Sequence, residues 1–191
     1  MAKVNGKNKG NGFERKIANL LSIRFETETG LKSSFRRNAD SGSFFGGTNK
    51  QRTETHNLDY AVFGDLITPK NFKFSIECKH YKTAPTFQSL VNHNITMWDS
   101  WLKQAQQDAT SSNRKMCLII KYNNVDEIVL VADKLLDIYD YSKYKTWYVY
   151  KLTDFLAMPD GYFFERNQFL SSDQLSTNGS NFSGPKTSSP A

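Results

Sequence analysis

Two apolar runs, residues 58–67 and 72–80, carry acidic side chains where a strand buried in a core has no ordinary use for them. Both runs are rich in the β-branched and aromatic residues that favour strands. Between them lie Thr68, Pro69, Lys70 and Asn71, and a proline in a short polar link is turn chemistry. The pattern predicts a β-hairpin turning near Lys70 and Asn71. Position 77 then falls opposite position 64, which puts Glu77 beside Asp65. Alternation along the second run sends Glu77 and Lys79 to one face and Cys78 to the other. Two acids and a lysine on one face make poor core, because desolvated charges are costly unless they are paired or hold a metal.

The remaining pattern sets the fold class. Residues 1–9 read as a flexible basic N-terminus. From 11 to 29, Phe13, Ile17, Leu20, Leu21 and Phe25 recur at helical spacing, and Gly30 stands where a helix-ending glycine belongs. Residues 33–37 predict a short strand. Residues 38–57 are rich in Gly, Ser, Thr and Asn, without periodicity. After a break at Pro85, residues 87–109 predict one long helix. Strands follow at 116–122 and 127–132 around a turn at Asn123 and Asn124. A short helix is expected at 133–139 with Asp133 as its cap, and an aromatic strand at 146–152. Helix, strands, helix, strands is the order of an α/β domain, a mixed central sheet flanked by helices. The expected domain spans 10–170, and the Ser/Asn/Gly/Pro-rich residues 171–191 read as a disordered tail.

Charge narrows the partner. The 191 residues carry a net charge of +6. Residues 1–52 hold eleven Lys and Arg against four acids, a balance of +7, while the rest of the chain comes to −1. A basic first quarter suits a polyanion such as nucleic acid, although a merely solvated basic segment has the same composition. No apolar run approaches the ~20 residues of a bilayer span, and the N-terminus lacks the apolar stretch of a signal peptide. A cytoplasmic protein without a membrane partner is expected. Two cysteines make no disulfide framework, and His56, His80 and His93 lack zinc-ligand spacing. Cys78 and Cys117 read as inert core. Trp98 and Trp101 read as core or subunit contact, and the tyrosines of 139–150 as sheet packing or a subunit interface.

A hard divalent cation would resolve the conflict in the two apolar runs. Mg²⁺ takes oxygen ligands, commonly one or two carboxylates with a carbonyl, waters and phosphate oxygens. Asp65 and Glu77 are the candidate carboxylates, and the backbone carbonyl of Cys78 a candidate third ligand. Lys79 stands where it could hold or help deprotonate an attacking water and neutralise charge growing on a phosphate. A salt-bridged hairpin, Lys79 with Asp65 or Glu77, explains the same residues without any chemistry. Asp59 would pair near residue 82, away from Glu77.

Gly64-Asp65 followed by Glu77-Cys78-Lys79 resembles the PD-(D/E)xK nuclease superfamily, and within it the archaeal-type and phage-type Holliday junction resolvases. Further segments match in order. Gly10-Asn11-Gly12-Phe13-Glu14-Arg15 is similar to the start of their first helix, and 35–42, with Arg36, Arg37 and Ser41, to their strand-and-loop segment. Trp101-Leu102-Lys103-Gln104-Ala105 is similar to the aromatic-x-x-Gln-Ala of the following helix. The resemblance covers about 10–122. It implies a restriction-endonuclease-like fold with Asp65 and Glu77 as metal ligands, Lys79 as the catalytic lysine and Glu14 as an auxiliary acid. Gln104 would support the site, and Arg36, Arg37 and Ser41 would touch phosphate. Arg36 and Arg37 alternate on a strand, so only one of them can face the site. Between Ser41 and Gly64 the chain is longer than the compact resolvases. That insertion holds Phe44, Phe45, Lys50 and Arg52, suited to entering a junction or stacking on an unpaired base, and equally to being a disordered insertion.

The expected protein is a Mg²⁺-dependent endonuclease of branched DNA, with Mn²⁺ able to substitute, acting on four-way junctions as a homodimer. The motif style fits a phage protein, which would work in the host cytoplasm. A restriction-type or DNA-degrading nuclease of the same fold without junction preference, and a DNA-binding or assembly protein that does not cut, are the alternatives.

Overall fold

The computed structural model describes residues 6–38 and 60–165. Ser41, Lys50, Arg52, the 43–57 insertion and the 171–191 tail lie outside the described residues.

Helix α1 spans Gly6–Arg24, beginning ahead of the expected residue 11. Its stripe of Phe13, Ile17 and Leu21 is buried, with Phe25 just beyond its end. A short turn of helix, α2, occupies Glu26–Thr29 and ends at Gly30, whose φ of 66° is the left-handed conformation expected there. Three short strands form one small antiparallel sheet in the order β1-β3-β2: β1 Arg36–Arg37, β2 Tyr60–Phe63 and β3 Leu66–Pro69.

The main sheet has five strands. Strand β4, Phe74–Tyr81, is followed by helices α3, Phe87–Val91, and α4, Thr96–Ser111, and then by β5, Lys115–Tyr122. Strands β6 Ile128–Val131, β7 Ser142–Tyr144 and β8 Trp147–Lys151 complete it in the order β4-β5-β6-β8-β7. β4 and β5 are parallel, joined by the α3–α4 crossover, and every other pairing is antiparallel. The sheet is therefore mixed, as expected. Helices α5, Leu152–Leu156, and α6, Asp160–Phe163, follow β8.

Alternation on β4 and β5 divides the core. Phe74, Ile76, Cys78, Cys117 and Ile119 face α1 and the phenylalanines of 155–164. Met116, Leu118, Ile120 and Tyr122 face α4 through Trp98, Trp101, Leu102 and Ala105. Trp98 Nε1 donates to Tyr122 Oη at 2.7 Å, so even the polar edge of this core is satisfied. Both cysteines are buried and free, and burial pushes both thiols up, which fits inert core residues.

Three expectations need correction. The run 58–67 is not one strand of a hairpin with β4. It breaks at Gly64 and Asp65, which form the turn between β2 and β3, and β4 takes β5 as its partner. The helix expected over 87–109 is split by Asn92–Ile95, where His93 adopts a φ of 51° and its Nδ1 accepts the Lys145 N–H. Residues 133–139 contain no helix. Asp133 ion-pairs with Lys115 instead of capping, and the Leu135 N–H donates to Tyr150 Oη.

Candidate active site

The two predicted carboxylates come close enough for Asp65 to act electrostatically on Glu77, by a different route from a hairpin. Gly64 forms an isolated bridge with Ile76 on the outer edge of β4. The Asp65 N–H donates to Ile76 O at 2.9 Å. Two residues further along the same edge, the Cys78 N–H donates to Asp65 Oδ2 at 2.8 Å. The carboxylate of Asp65 thus fills the place that a neighbouring strand would occupy.

Gly64 is what allows the approach. Its φ is 66°, and a β-carbon there would stand 3.1 Å from the Ile76 carbonyl carbon and 3.2 Å from Ser75 Oγ. Asn38 clamps the same turn from the other side, its N–H donating to Asp65 O at 2.8 Å and its Nδ2 to Gly64 O at 3.1 Å.

Glu77 lies on the α4 face of β4 and is 2% exposed. Its Oε1 accepts from Lys79 Nζ, while its buried Oε2 has no hydrogen-bond partner among the described residues. Burial, reinforced by the charge of Asp65, pushes its carboxyl from 4.5 up to about 7, against the pull of Lys79. Burial pulls the Lys79 amine down, but Glu77 beside it and Asp65 more than offset this, and the net shift is upward. The Lys79 amine is the donor in its pair with Glu77. It also donates to Gln104 Oε1 of α4 at 3.3 Å.

Glu14 sits on the buried stripe of α1, three residues before Ile17. Arg37 Nε donates to its Oε2 at 2.5 Å, and Arg37 Nη2 to Asn11 Oδ1 at 2.8 Å. Burial and then the charge of Asp65 push the Glu14 carboxyl up, with Arg37 opposing. Of the two arginines, Arg37 turns inward to Glu14 and Arg36 is exposed, with Nε donating to Ser33 O at 3.4 Å.

One residue escaped the sequence reading. Asp108 lies one helical turn beyond Gln104 on α4, and its carboxyl is pushed up by burial and then by Asp65. The spacing of four on one helix face was the available signal. Among the described residues no group of three or more His, Cys, Asp or Glu forms a ready-made metal cage. Two carboxylates and a carbonyl are nonetheless enough protein for Mg²⁺, which keeps several of its waters.

A mixed sheet flanked by helices, with Glu77 and Lys79 on its outermost strand and Asp65 against that strand's edge, places this protein in the restriction-endonuclease-like α/β class. The chain belongs to the family described as "Phage putative PDDEXK endonuclease", whose model matches residues 5–158. A solved structure of Hjc, a Holliday junction resolvase from the archaeal hyperthermophile Archaeoglobus fulgidus, is similar at 13% sequence identity. That similarity covers 75% of this chain and 89% of that one, with a TM-score of 0.34. No curated protein matches the chain significantly. No helix among the described residues is long and apolar enough to cross a membrane.

Proposed function

We propose that this protein is a Mg²⁺-dependent endodeoxyribonuclease that hydrolyses phosphodiester bonds at Asp65, Glu77 and Lys79. The observation that carries the reading is the unpartnered Glu77 Oε2. A buried carboxylate oxygen without a donor costs several kcal/mol in order of magnitude unless a cation completes it, and here a second carboxylate stands beside it. Asp65 and Glu77 would hold the ion. Alternation along β4 turns the Cys78 carbonyl to the same open edge as its N–H, so it is the third protein oxygen within the set. Bound there, Mg²⁺ supplies a polarised phosphoryl oxygen and a water of lowered pKa, and Mn²⁺ offers the same chemistry.

The protein's own groups do the rest. The Lys79 ammonium, aimed by Glu77 and Gln104, donates to the attacking water or to the phosphate oxygen on which charge grows. Glu14 adds negative field on the Asp65 side, and Arg37 fixes its carboxylate. Arg36, exposed on β1, would contact the DNA backbone, with Ser41 from the resolvase-like motifs and Lys50 and Arg52 from the insertion after it as further contacts. Those motifs also favour branched DNA, a four-way junction cut symmetrically by two copies of the chain.

The test is purified protein with supercoiled, linear, single-stranded and four-way DNA, with and without Mg²⁺ or Mn²⁺. Metal-dependent nicks, lost in Glu77→Ala, support hydrolysis at this site. Paired nicks confined to the junction support branched DNA. Cutting of every DNA alike removes junction preference, and binding without cleavage removes the nuclease reading.

A further inference from the structure

A second feature stands apart from the Glu77 site. Where β4 and β5 begin, Lys70, Lys73, Ser112, Asn113, Arg114 and Lys115 line an open cavity of about 760 Å³. The sequence arithmetic hid it, because these bases are spread through a stretch of near-zero net charge. The parallel pairing of β4 with β5 brings them together, since Phe74 stands opposite Lys115.

The charge of this cavity is compensated only in part: Glu165 acts on Arg114 and Asp133 pairs with Lys115, against four cations. Arg114 donates to Thr68 Oγ1 at 2.7 Å and to Lys70 O at 2.8 Å, and Lys73 Nζ donates to Gly161 O at 2.7 Å. All of these acceptors are neutral, so they orient the cations without cancelling them. Lys115 has Asp133 as its ion partner, and Glu165 is the one acid of the lining. The end of α4 would repel an anion if its carbonyls were bare. They are already engaged: Ser112 Oγ donates to Asp108 O and Ala109 O, the Asn113 N–H to Thr110 O, and the Arg114 N–H to Ala109 O.

Position links the cavity to the catalytic groups. Lys73 immediately precedes β4 and stands four residues, about 13 Å of extended chain, before Glu77. Along α4 the distance from Gln104 to Ser111 is about 10 Å. A DNA strand places a phosphate about every 3.4 Å of helix axis. We propose that this basic cavity binds a backbone phosphate of a DNA duplex three or four nucleotides from the cut, aligning the arm that enters the active site. The inference rests on the nuclease reading and adds the path of its substrate.

Full-length Glu77→Gln protein, which should not cut, serves as the background, with a fluorescent linear duplex as the probe and Ca²⁺ in place of Mg²⁺. Binding is measured over a series of salt concentrations for Glu77→Gln alone and with Lys70→Glu, Lys70→Ala or Lys151→Glu added. Lys70 is exposed in the β3–β4 turn, so its substitution leaves the fold intact, which a thermal melt verifies. Lys70→Glu should weaken binding several-fold and reduce the slope of log Kd against log salt by about one, with Lys70→Ala intermediate. Lys151→Glu, on distant β8, should leave the slope unchanged. Equal slopes for Lys70→Glu and Glu77→Gln, or equal losses in Lys70→Glu and Lys151→Glu, overturn the phosphate site while leaving the nuclease reading in place. A Glu77→Gln protein that binds no DNA overturns both.

Discussion

Substituting Gly64 by alanine probes how backbone geometry makes the carboxylate pair. An L-residue at a φ of 66° costs about 1 kcal/mol. The new methyl would also sit 3.1 Å from the Ile76 carbonyl carbon, and closer still to its oxygen. Ordinary carbon–oxygen contact returns only if the two backbones part by on the order of 1 Å. That movement stretches the 2.9 Å bond from the Asp65 N–H to Ile76 O beyond its working length, a further loss of about 1 kcal/mol. With strain in the Asn38 clamp, the total is roughly 2–4 kcal/mol, or a fall in melting temperature of roughly 5–15 °C. Asp65 would also leave the Cys78 N–H, and a misplacement of about 1 Å at a catalytic group can cost about a hundredfold in rate. Thermal melts without metal and single-turnover cleavage of supercoiled DNA with Mg²⁺ measure the two effects. A Gly64→Ala protein that melts and cuts like the wild type refutes the claim that this glycine positions Asp65.

Glu77→Gln should abolish cleavage while sparing DNA binding, as read by a gel shift beside a nicking assay; retained cutting would remove Glu77 from the site. Because folding raises the Glu77 carboxyl from 4.5 to about 7, the native chain holds a proton that the unfolded chain releases. That stability is fully present below pH 4.5 and is lost as pH rises through about 7. Melting temperatures in a chelator should therefore decline over this window in the wild type, and less so in Glu77→Gln; parallel profiles would contradict the assignment. Mg²⁺ must displace the same proton, so its stabilising effect should grow as pH rises, and an equal effect at both ends of the window would count against Glu77 as a ligand. Arg37→Ala strands Glu14 in a buried position, at a cost of about 2 kcal/mol by thermal melt; Arg37→Lys should recover only part, and an unchanged melt would show the pair to be dispensable. Trp98→Phe leaves Tyr122 Oη without its buried donor and should cost about 1–2 kcal/mol, with wild-type stability as the contrary result.

The elements whose patterns are local were legible in the sequence. β5, β6 and the turn between them follow from two apolar runs around Asn123 and Asn124, where Asn124 adopts a φ of 60°. The buried stripe of α1 and its association with the sheet follow from helical spacing. Pairing partners were not legible, because an apolar strand declares that it is buried but not against which neighbour. Pro69 suggested a hairpin between 58–67 and 72–80, yet Gly64, the residue that turns the chain, sat inside the first run. Asp65 and Glu77 were still expected side by side, since both routes bring position 64 next to position 76 or 77. Gln104 was singled out by its motif, and its Oε1 accepts from Lys79 Nζ. Asp108 has no motif, and the basic cavity depends on the parallel register of two strands far apart in sequence. The split in the long helix depends on His93 meeting Lys145, a contact that no local pattern announces.

The outer margin of β4 has a consequence for colloidal behaviour. An eight-residue strand at the border of a sheet ordinarily presents a row of free amides and carbonyls on which a stray polypeptide can zip. Here a glycine turn and an acidic side chain occupy that border, and a foreign strand seeking to add would have to expel a negative charge. The opposite border, β7, is three residues long and bears Lys143. Both rims thus discourage fibrous growth, and at β4 the discouragement comes from the side chain proposed to bind the metal.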